Sequence, residues 1–302
     1  FIDEIETLLN RDLPEEERIP LIEKFRKMYG TMDFYVLYNR FLKKEGYQTL
    51  PRRPLEKRKL RYEDVYPVLY LKYRLSRQAE RSNIKHLVID EMQDYSRLQY
   101  LIIRRMFSCK MTILGDRAQT MADQQQDVLQ FLPGIFGKDL RRIEMRKSYR
   151  NTVEIASYAA NLIGVTDLEL FERHGMPVLE RDVTDLEAAL REAVDTLFPD
   201  EKTYETAAVI VPDEKTAERT YLILREILSE KDFDCEKRLS WLNRDSSSFK
   251  KGLTVTTFYL AKGLEFDQVF SIFPKDEKRE IMMQAQYIAA TRALHELRVY
   301  HI

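Results

Sequence analysis

Four polar side chains crowd the end of a short apolar run in "KHLVIDEMQDYS", residues 85–96. Leu87, Val88 and Ile89 lead straight into Asp90 and Glu91, and Gln93 and Asp94 follow. A carboxylate just past a buried strand suits Mg²⁺, which takes hard oxygen ligands and keeps several of its waters. A second carboxylate beside it can orient and polarise an attacking water. That pairing fits nucleotide hydrolysis, where positioning and charge stabilisation do most of the catalytic work. The competing reading is structural: Asp90 and Glu91 start a loop and cap a helix beginning near Ser96.

Polar groups recur in the same way downstream. "TILGDRAQT" (112–120) is an apolar run ending in Gly115, Asp116 and Gln119. "KSYRN" (147–151) sets Tyr149 and Arg150 just ahead of a helical pattern. "TTFYLAKGLEFDQVF" (256–270) places a Lys262-Gly263 turn and Glu265 between two strand-like runs. "YIAATRALHEL" (287–297) carries Arg292 on a helical segment. Planar, permanently charged guanidinium groups are well matched to charge developing on a transferring phosphoryl group. An aromatic face supplies affinity for a base with little discrimination between bases. The alternatives are that Arg150 pairs a helix-start carboxylate such as Glu154, that Arg292 covers a helix face, and that Tyr149 packs in the core.

These groups need elements to hold them. Residues 13–46 repeat apolar positions at three and four (Ile19, Ile22, Phe25, Met28, then Phe34, Leu37, Phe41), which predicts helix. "LPRRPLEKRKLR" (50–61) is a basic, proline-punctuated connector, either a solvated loop or a nucleic-acid contact, and 62–75 reads as a helix with an aromatic stripe facing the core. Beyond it, strand-like runs at 86–89, 111–114, 207–211, 253–257, 269–273 and 297–300 alternate with helical patterns at 96–107, 151–163, 185–197, 214–229 and 284–294. Alternation of this kind predicts an α/β fold with mostly parallel sheets covered by helices. Ligands in such sheets bind beyond strand carboxyl ends, where Asp90, Gly115-Asp116 and the polar residues after Thr257 are expected.

Composition narrows the function classes. The 302 residues suggest two domains, and 44% hydrophobic content is enough for packed cores. With 49 basic residues against 50 acidic ones, the overall basic footprint of a nucleic-acid binder is missing, though a local basic groove remains compatible. Two cysteines and four scattered histidines make neither a disulfide framework nor a zinc site, which fits a reducing, cytoplasmic setting. No apolar stretch approaches the ~20 residues that span a membrane.

In this order and approximate spacing, the five stretches resemble the motor of superfamily 1 helicases of the UvrD/Rep type, over roughly residues 62–302. The short distance between "KSYRN" and "TTFYLAKGLEF" is more similar to the HelD-like branch than to the DNA-repair helicases. The resemblance implies two RecA-like, P-loop NTPase-type domains that use ATP and Mg²⁺ and run single-stranded DNA across both. "VIDEMQD" resembles the DExQD box, which gives Asp90 the Mg²⁺ and Glu91 the general-base role, with Gln93 and Asp94 linking to neighbouring motifs. "GDRAQ" resembles the GDxxQ box, so Gln119 senses the γ-phosphate. Tyr149 matches the aromatic that stacks on adenine, Arg150 an arginine reaching the γ-phosphate, and Arg292 the arginine that completes the clamp. Thr257 and Lys262-Gly263 match family positions, and Glu265 matches the ribose-contacting glutamate. Tyr259 stands where many relatives have histidine, which weakens any nucleic-acid contact inferred there.

One part of that machinery is missing from the sequence. A P-loop needs G-x-x-x-x-G-K-[ST], and "PGIFGKD" (133–139) offers Gly137-Lys138 with Leu132 where the first glycine belongs and Asp139 where the hydroxyl belongs. Residues 1–84 hold no substitute and the chain opens on Phe1, so the expectation is the C-terminal part of a longer motor whose N-terminal part supplies the cradle. The expected division is a helical segment and connector over 1–61, an incomplete first RecA-like domain over 62–145, and a second over 146–302. The leading function is the C-terminal motor portion of an ATP-dependent DNA helicase or translocase. A HelD-like ATPase acting on RNA polymerase is the alternative, and a regulatory module without hydrolysis is a third.

Overall fold

The computed structural model describes residues 1–75, 83–116, 119, 127–165, 169–198, 204–231, 234–246, 251–275 and 280–302. Of the positions singled out in the sequence, the side chains of Met28 and Asp139, and residues 117, 118 and 120 of the "GDRAQT" stretch, lie outside the described residues. The chain divides into two compact units, residues 1–115 with 124–140 and residues 116–123 with 141–302.

Unit 1 runs α1 (Ile2–Leu9), α2 (Glu15–Tyr29), α3 (Phe34–Lys44), α4 (Tyr62–Leu75), β1 (His86–Ile89), α5 (Arg97–Met106), β2 (Lys110–Ile113) and α6 (Val128–Phe136). The helical stretch expected over 13–46 is two helices. Gly30 ends α2, and the Asp33 side chain caps α3 by accepting the Tyr35 and Val36 N–H groups. Tyr35, Tyr38, Leu42 and Leu50 pack with Val68 and Leu71 of α4, so the side of α4 in this core is aliphatic, whereas Tyr62, at the head of the expected aromatic stripe, is 79% exposed. Beneath them Asp64 is 2% exposed and accepts bonds from Tyr38 Oη at 2.8 Å and Arg61 Nε at 2.6 Å. Burial, and then the bond to Asp64, pushes the Tyr38 hydroxyl up to about 12. Asp64→Ala should strand that hydroxyl and lower unfolding free energy by about 1–3 kcal/mol. Chemical denaturation checks this, and an unchanged midpoint would show the bond to be dispensable.

β1 and β2 pair in parallel register from His86↔Lys110 to Ile89↔Ile113. Ile89, Tyr100 of α5, and Val128 and Leu132 of α6 form the core on this pair.

Unit 2 contains β3 (Lys147–Ser148), α7 (Val153–Leu162), β4 (Glu169–Leu170), β5 (Leu179–Asp182), α8 (Leu186–Asp195), β6 (Thr206–Val211), α9 (Glu214–Ser229), α10 (Cys235–Arg238), β7 (Leu239–Trp241), β8 (Gly252–Thr257), β9 (Phe266–Phe273), α11 (Glu280–Thr291) and β10 (Ala293–His301). Its main sheet has the order β5-β10-β9-β6-β8-β7, and every pairing in it is parallel. Central strands of a parallel sheet are covered on both faces and read as unbroken apolar runs. Ala207–Val211 fits that pattern, with every residue buried. One core joins the sheet to α8 and α9, and the other joins it to α7 and α11. The α/β fold with parallel sheets is therefore as expected. The elements that the sequence hid are α1, α6, α10 and the short strands β3, β4, β5 and β7. Arg292 is also not helical: α11 stops at Thr291 and β10 starts at Ala293, four residues earlier than expected.

Candidate functional site

At the end of β1 the chain turns sharply. Glu91 sits at φ 50, ψ 51, the left-handed region that a non-glycine residue enters at a cost of about 1–3 kcal/mol. The turn lets Asp90 Oδ1 accept the Glu91 N–H at 2.8 Å. Gln93, 7% exposed, donates through Nε2 to Glu91 Oε2 at 2.5 Å and so fixes that carboxylate. The exit of β2 meets the same corner: the Met92 N–H donates to Leu114 O at 2.8 Å, and the Leu114 N–H donates to Ile89 O at 2.8 Å. Gly115 must be glycine here. A Cβ on it would lie 2.5 Å from Gln93 Oε1 and 2.6 Å from Met92 N. The capping alternative fails, because Ser96 and Gln99 form a complete capping box on α5 without help from Asp90 or Glu91.

In unit 2 the expected residues gather at the amino ends of β9 and β10, not at a carboxyl end. Thr257 does end β8, but residues 258–265 carry the chain across to the start of β9, as a connection between two parallel strands must. Glu265 thus immediately precedes Phe266, Arg292 immediately precedes Ala293, and those two strand starts are paired. Gly263, at φ 75, takes the left-handed turn within the crossing. Arg150 reaches Glu265, Nε to Oε1 at 2.7 Å, with both side chains nearly half exposed. Its alternative partner is engaged elsewhere. Glu154 accepts from His174 Nδ1 and the Gly175 N–H, both at 2.9 Å, and the His174 bond chiefly holds its carboxyl down at about 2. Asn151, missed in the sequence, anchors the segment by donating to Thr291 O and Ala293 O at 3.3 and 2.6 Å. Tyr149 is 60% exposed, so it is not core packing. Its ring lies 5.6 Å from that of Phe171, with Lys147 Nζ 5.5 Å from the ring centre.

Gln119 and Arg292 do meet, also in unit 2. Arg292 is 1% exposed and donates from Nη2 to Gln119 Oε1 at 3.3 Å and to Thr291 Oγ1 at 3.2 Å. Its Nε and Nη1 donate to Ile288 O at 3.3 Å and Leu264 O at 3.4 Å. Gln119 Nε2 in turn donates to Asp116 Oδ2 at 3.0 Å, and Tyr287 Oη donates to the same oxygen at 2.9 Å. Burial, then the Asp116 charge, pushes the Tyr287 hydroxyl well above its ordinary range, so it remains a donor at any working pH. Asp116 and Tyr287 were not expected as members of this network. The only sequence signal was their place inside "GDRAQ" and "YIAATRA".

The donor chemistry fits Mg²⁺ at Asp90, whose hard carboxylate lies exposed at the strand exit. Among the described residues no three His, Cys, Asp or Glu side chains gather as a dedicated metal cage. A Mg²⁺ held by one or two carboxylates and its own waters needs none. No described segment fits the triphosphate. Pro133–Phe136 of "PGIFGKD" close α6 and Gly137–Asp139 form a 3₁₀ turn, the reverse of the strand–loop–helix order of a P-loop.

Residues 3–121 match the UvrD/REP helicase N-terminal domain. Both Asp90 and Gln119 fall inside the matched residues. No match to a curated protein is found. Solved structures with likeness to this chain include the C-terminal domain of a possible DNA helicase from Lactobacillus plantarum WCFS1, at 24% identity and TM-score 0.40, covering 51% of this chain and 88% of that one. The PRRSV helicase aligns at 17% identity and TM-score 0.40, covering 72% of this chain and 35% of its own. Arterivirus nonstructural protein 10, a helicase in complex with DNA, aligns at 14% identity and TM-score 0.39, with 72% and 39% covered. No helix among the described residues is long and apolar enough to cross a membrane.

Proposed function

We propose that this chain is part of an ATP-driven helicase or translocase of the UvrD/Rep type, built on two RecA-like domains and moving on single-stranded DNA. The observation that carries the reading is the Asp90–Glu91 corner, strained at Glu91 and buttressed by Gln93, inside the residues that match a helicase domain. Bound Mg²⁺ would neutralise charge on the phosphate oxygens of ATP. Asp90 offers that metal a carboxylate oxygen. Glu91 accepts a proton from the attacking water at the oxygen that Gln93 leaves available. Tyr149 presents a face for adenine, Gly263 shapes the turn that delivers Glu265 for the ribose, and Arg150 faces the terminal phosphate. Gln119, oriented by Arg292, senses that phosphate. We assign 62–145 and 146–302 to the two RecA-like domains, except that 116–123 and 141–145 go with the second of the two compact units, with 1–61 as a helical attachment, and the phosphate cradle to a part of the protein N-terminal to these residues. A cytoplasmic setting suits the two free cysteines.

The decisive measurement is phosphate release in the presence of single-stranded DNA by a form of the protein that includes the cradle. Absence of DNA-stimulated turnover there would end the motor reading. For residues 1–302, a net charge of −1 leaves little to neutralise phosphates, so single-strand binding at physiological salt should be weak. Fluorescence anisotropy checks it, and tight, salt-sensitive binding would contradict it. Co-purification with RNA polymerase would move the assignment to the HelD-like branch.

A further inference from the structure

Unit 1 carries a charge concentration that the proposed hydrolysis does not use. Residues 50–61 hold six basic side chains (Arg52, Arg53, Lys57, Arg58, Lys59, Arg61) against one acid, Glu56, while the rest of the chain carries 43 basic residues against 49 acidic ones. The connector is not a loose loop. Asn39 clamps Leu50 at both backbone groups, accepting its N–H at 2.7 Å and donating to its carbonyl at 3.1 Å. Tyr35 Oη donates to Pro51 O at 2.7 Å. Arg58 lies 4.8 Å from the Tyr35 ring centre, pairs with Asp33 at 2.7 Å and donates to Arg53 O at 3.0 Å. Arg61 is bound to the buried Asp64.

These ties leave a cavity of about 390 Å³ lined by Tyr35, Leu50, Pro51, Arg53, Lys59 and Arg61, among others. Arg58 and Arg61 are committed to carboxylates, but Arg53 and Lys59 make no ion pair and no side-chain hydrogen bond among the described residues. Two exposed cations without an ion-pair partner among the described residues line the same concavity, and the backbone that carries them is already tied down at Leu50, Pro51 and Arg53, so an anion there must order side chains but not the connector. Tyr47 and Tyr62, 65% and 79% exposed, bracket the connector in the chain and can stack bases without reading them. An acidic peptide would use the cations but not these aromatic faces.

We propose that this pocket is a phosphate-binding subsite for single-stranded nucleic acid, held by Arg53 and Lys59. The inference rests on the motor reading for the identity of the polymer, but its test requires no nucleotide. The probe is fluorescein-labelled dT20, its anisotropy followed between 20 and 200 mM salt. Arg53→Glu/Lys59→Glu is compared with Lys24→Glu/Lys27→Glu, which makes the same charge change on exposed positions of α2, and melting curves confirm that both fold. Arg53→Gln/Lys59→Gln provides a neutral version should the reversal misfold. The pocket variant should weaken binding at least fivefold at 50 mM salt and lower the salt slope by about 1.4, roughly 0.7 for each single-strand phosphate no longer neutralised. The α2 variant should leave the slope near that of the unaltered protein. Equal weakening in both variants, no weakening in the pocket variant, no binding by the unaltered protein at 20 mM salt, or equal competition by polyglutamate at matched charge would each overturn the subsite. None of those results bears on phosphate release, by which the motor reading is judged.

Discussion

Residues 1–302 alone are expected to release phosphate from ATP no faster than their own Glu91→Gln variant. In the proposed reading the corner at Asp90 and Glu91 would supply a metal ligand and a base, and unit 2 would supply arginines and a stacking face. Neither set holds the β- and γ-phosphates in line, and positioning is most of what such an enzyme contributes. Tyr149 stacking cannot replace a nest of backbone N–H groups and a P-loop lysine. Joined to a region that carries G-x-x-x-x-G-K-[ST], the same corner should become productive. Glu91→Gln should then lower turnover by about 10²–10⁴-fold, the range for removal of a positioned general base, with nucleotide binding retained. Glutamine keeps the size of the side chain and one acceptor for Gln93, so the corner stays folded while the proton acceptor is gone. Phosphate release and fluorescent-nucleotide binding, measured on the same preparations, separate the two effects. Robust turnover by residues 1–302 that vanishes in Glu91→Gln would place a phosphate site within these residues and contradict a cradle N-terminal to them.

What could be read from the sequence was what local chemistry fixes. An apolar run ending in Asp90-Glu91 places carboxylates at a strand exit whatever the rest of the chain does. The Tyr62–Leu75 helix is plain from its apolar spacing, and β6 from an unbroken short apolar run. The left-handed turn at Glu91 is not, because it follows from hydrogen bonds between Met92, Leu114 and Ile89 that only the folded β1–β2 pair creates. The location of the unit 2 residues departs from expectation for a related reason. A motif lying after Thr257 looks as if it sits at the carboxyl end of β8, yet the crossing through 258–265 delivers Glu265 to the opposite, amino end of the strands. The bond from Tyr287 to Asp116 joins residues 171 positions apart, a separation across which periodicity carries no information. β5 stays hidden because three of its four residues, Glu180, Arg181 and Asp182, are exposed and charged.

Arg292→Ala is expected to cause the largest loss of stability among the site residues, and Arg150→Ala almost none. Both are arginines expected at the same phosphate, but the structure treats them differently. Arg150 forms a half-exposed pair with Glu265, and exposed pairs contribute roughly 0–1 kcal/mol. Arg292 is 1% exposed, and its guanidinium ties together Gln119, Thr291, Ile288 O and Leu264 O at the starts of β9 and β10. Truncation would leave those neutral acceptors unsatisfied around a cavity, at about 1–3 kcal/mol for each one that water does not reach, or about 3–5 kcal/mol when two are stranded. For a unit of this size that corresponds to a fall in melting temperature of roughly 6–20 °C. Arg292→Lys should fall between the two, because an ammonium keeps the charge but cannot span four acceptors in one plane. The comparison decides how Arg292 serves a nucleotide. A side chain waiting in solvent to touch phosphate could be removed without thermal cost, so an unchanged melting temperature in Arg292→Ala would reject the buried network. A large fall would show that Arg292 is a buried tie that holds Gln119 in place, and nucleotide binding by Gln119→Ala would then test whether Gln119 meets a phosphate.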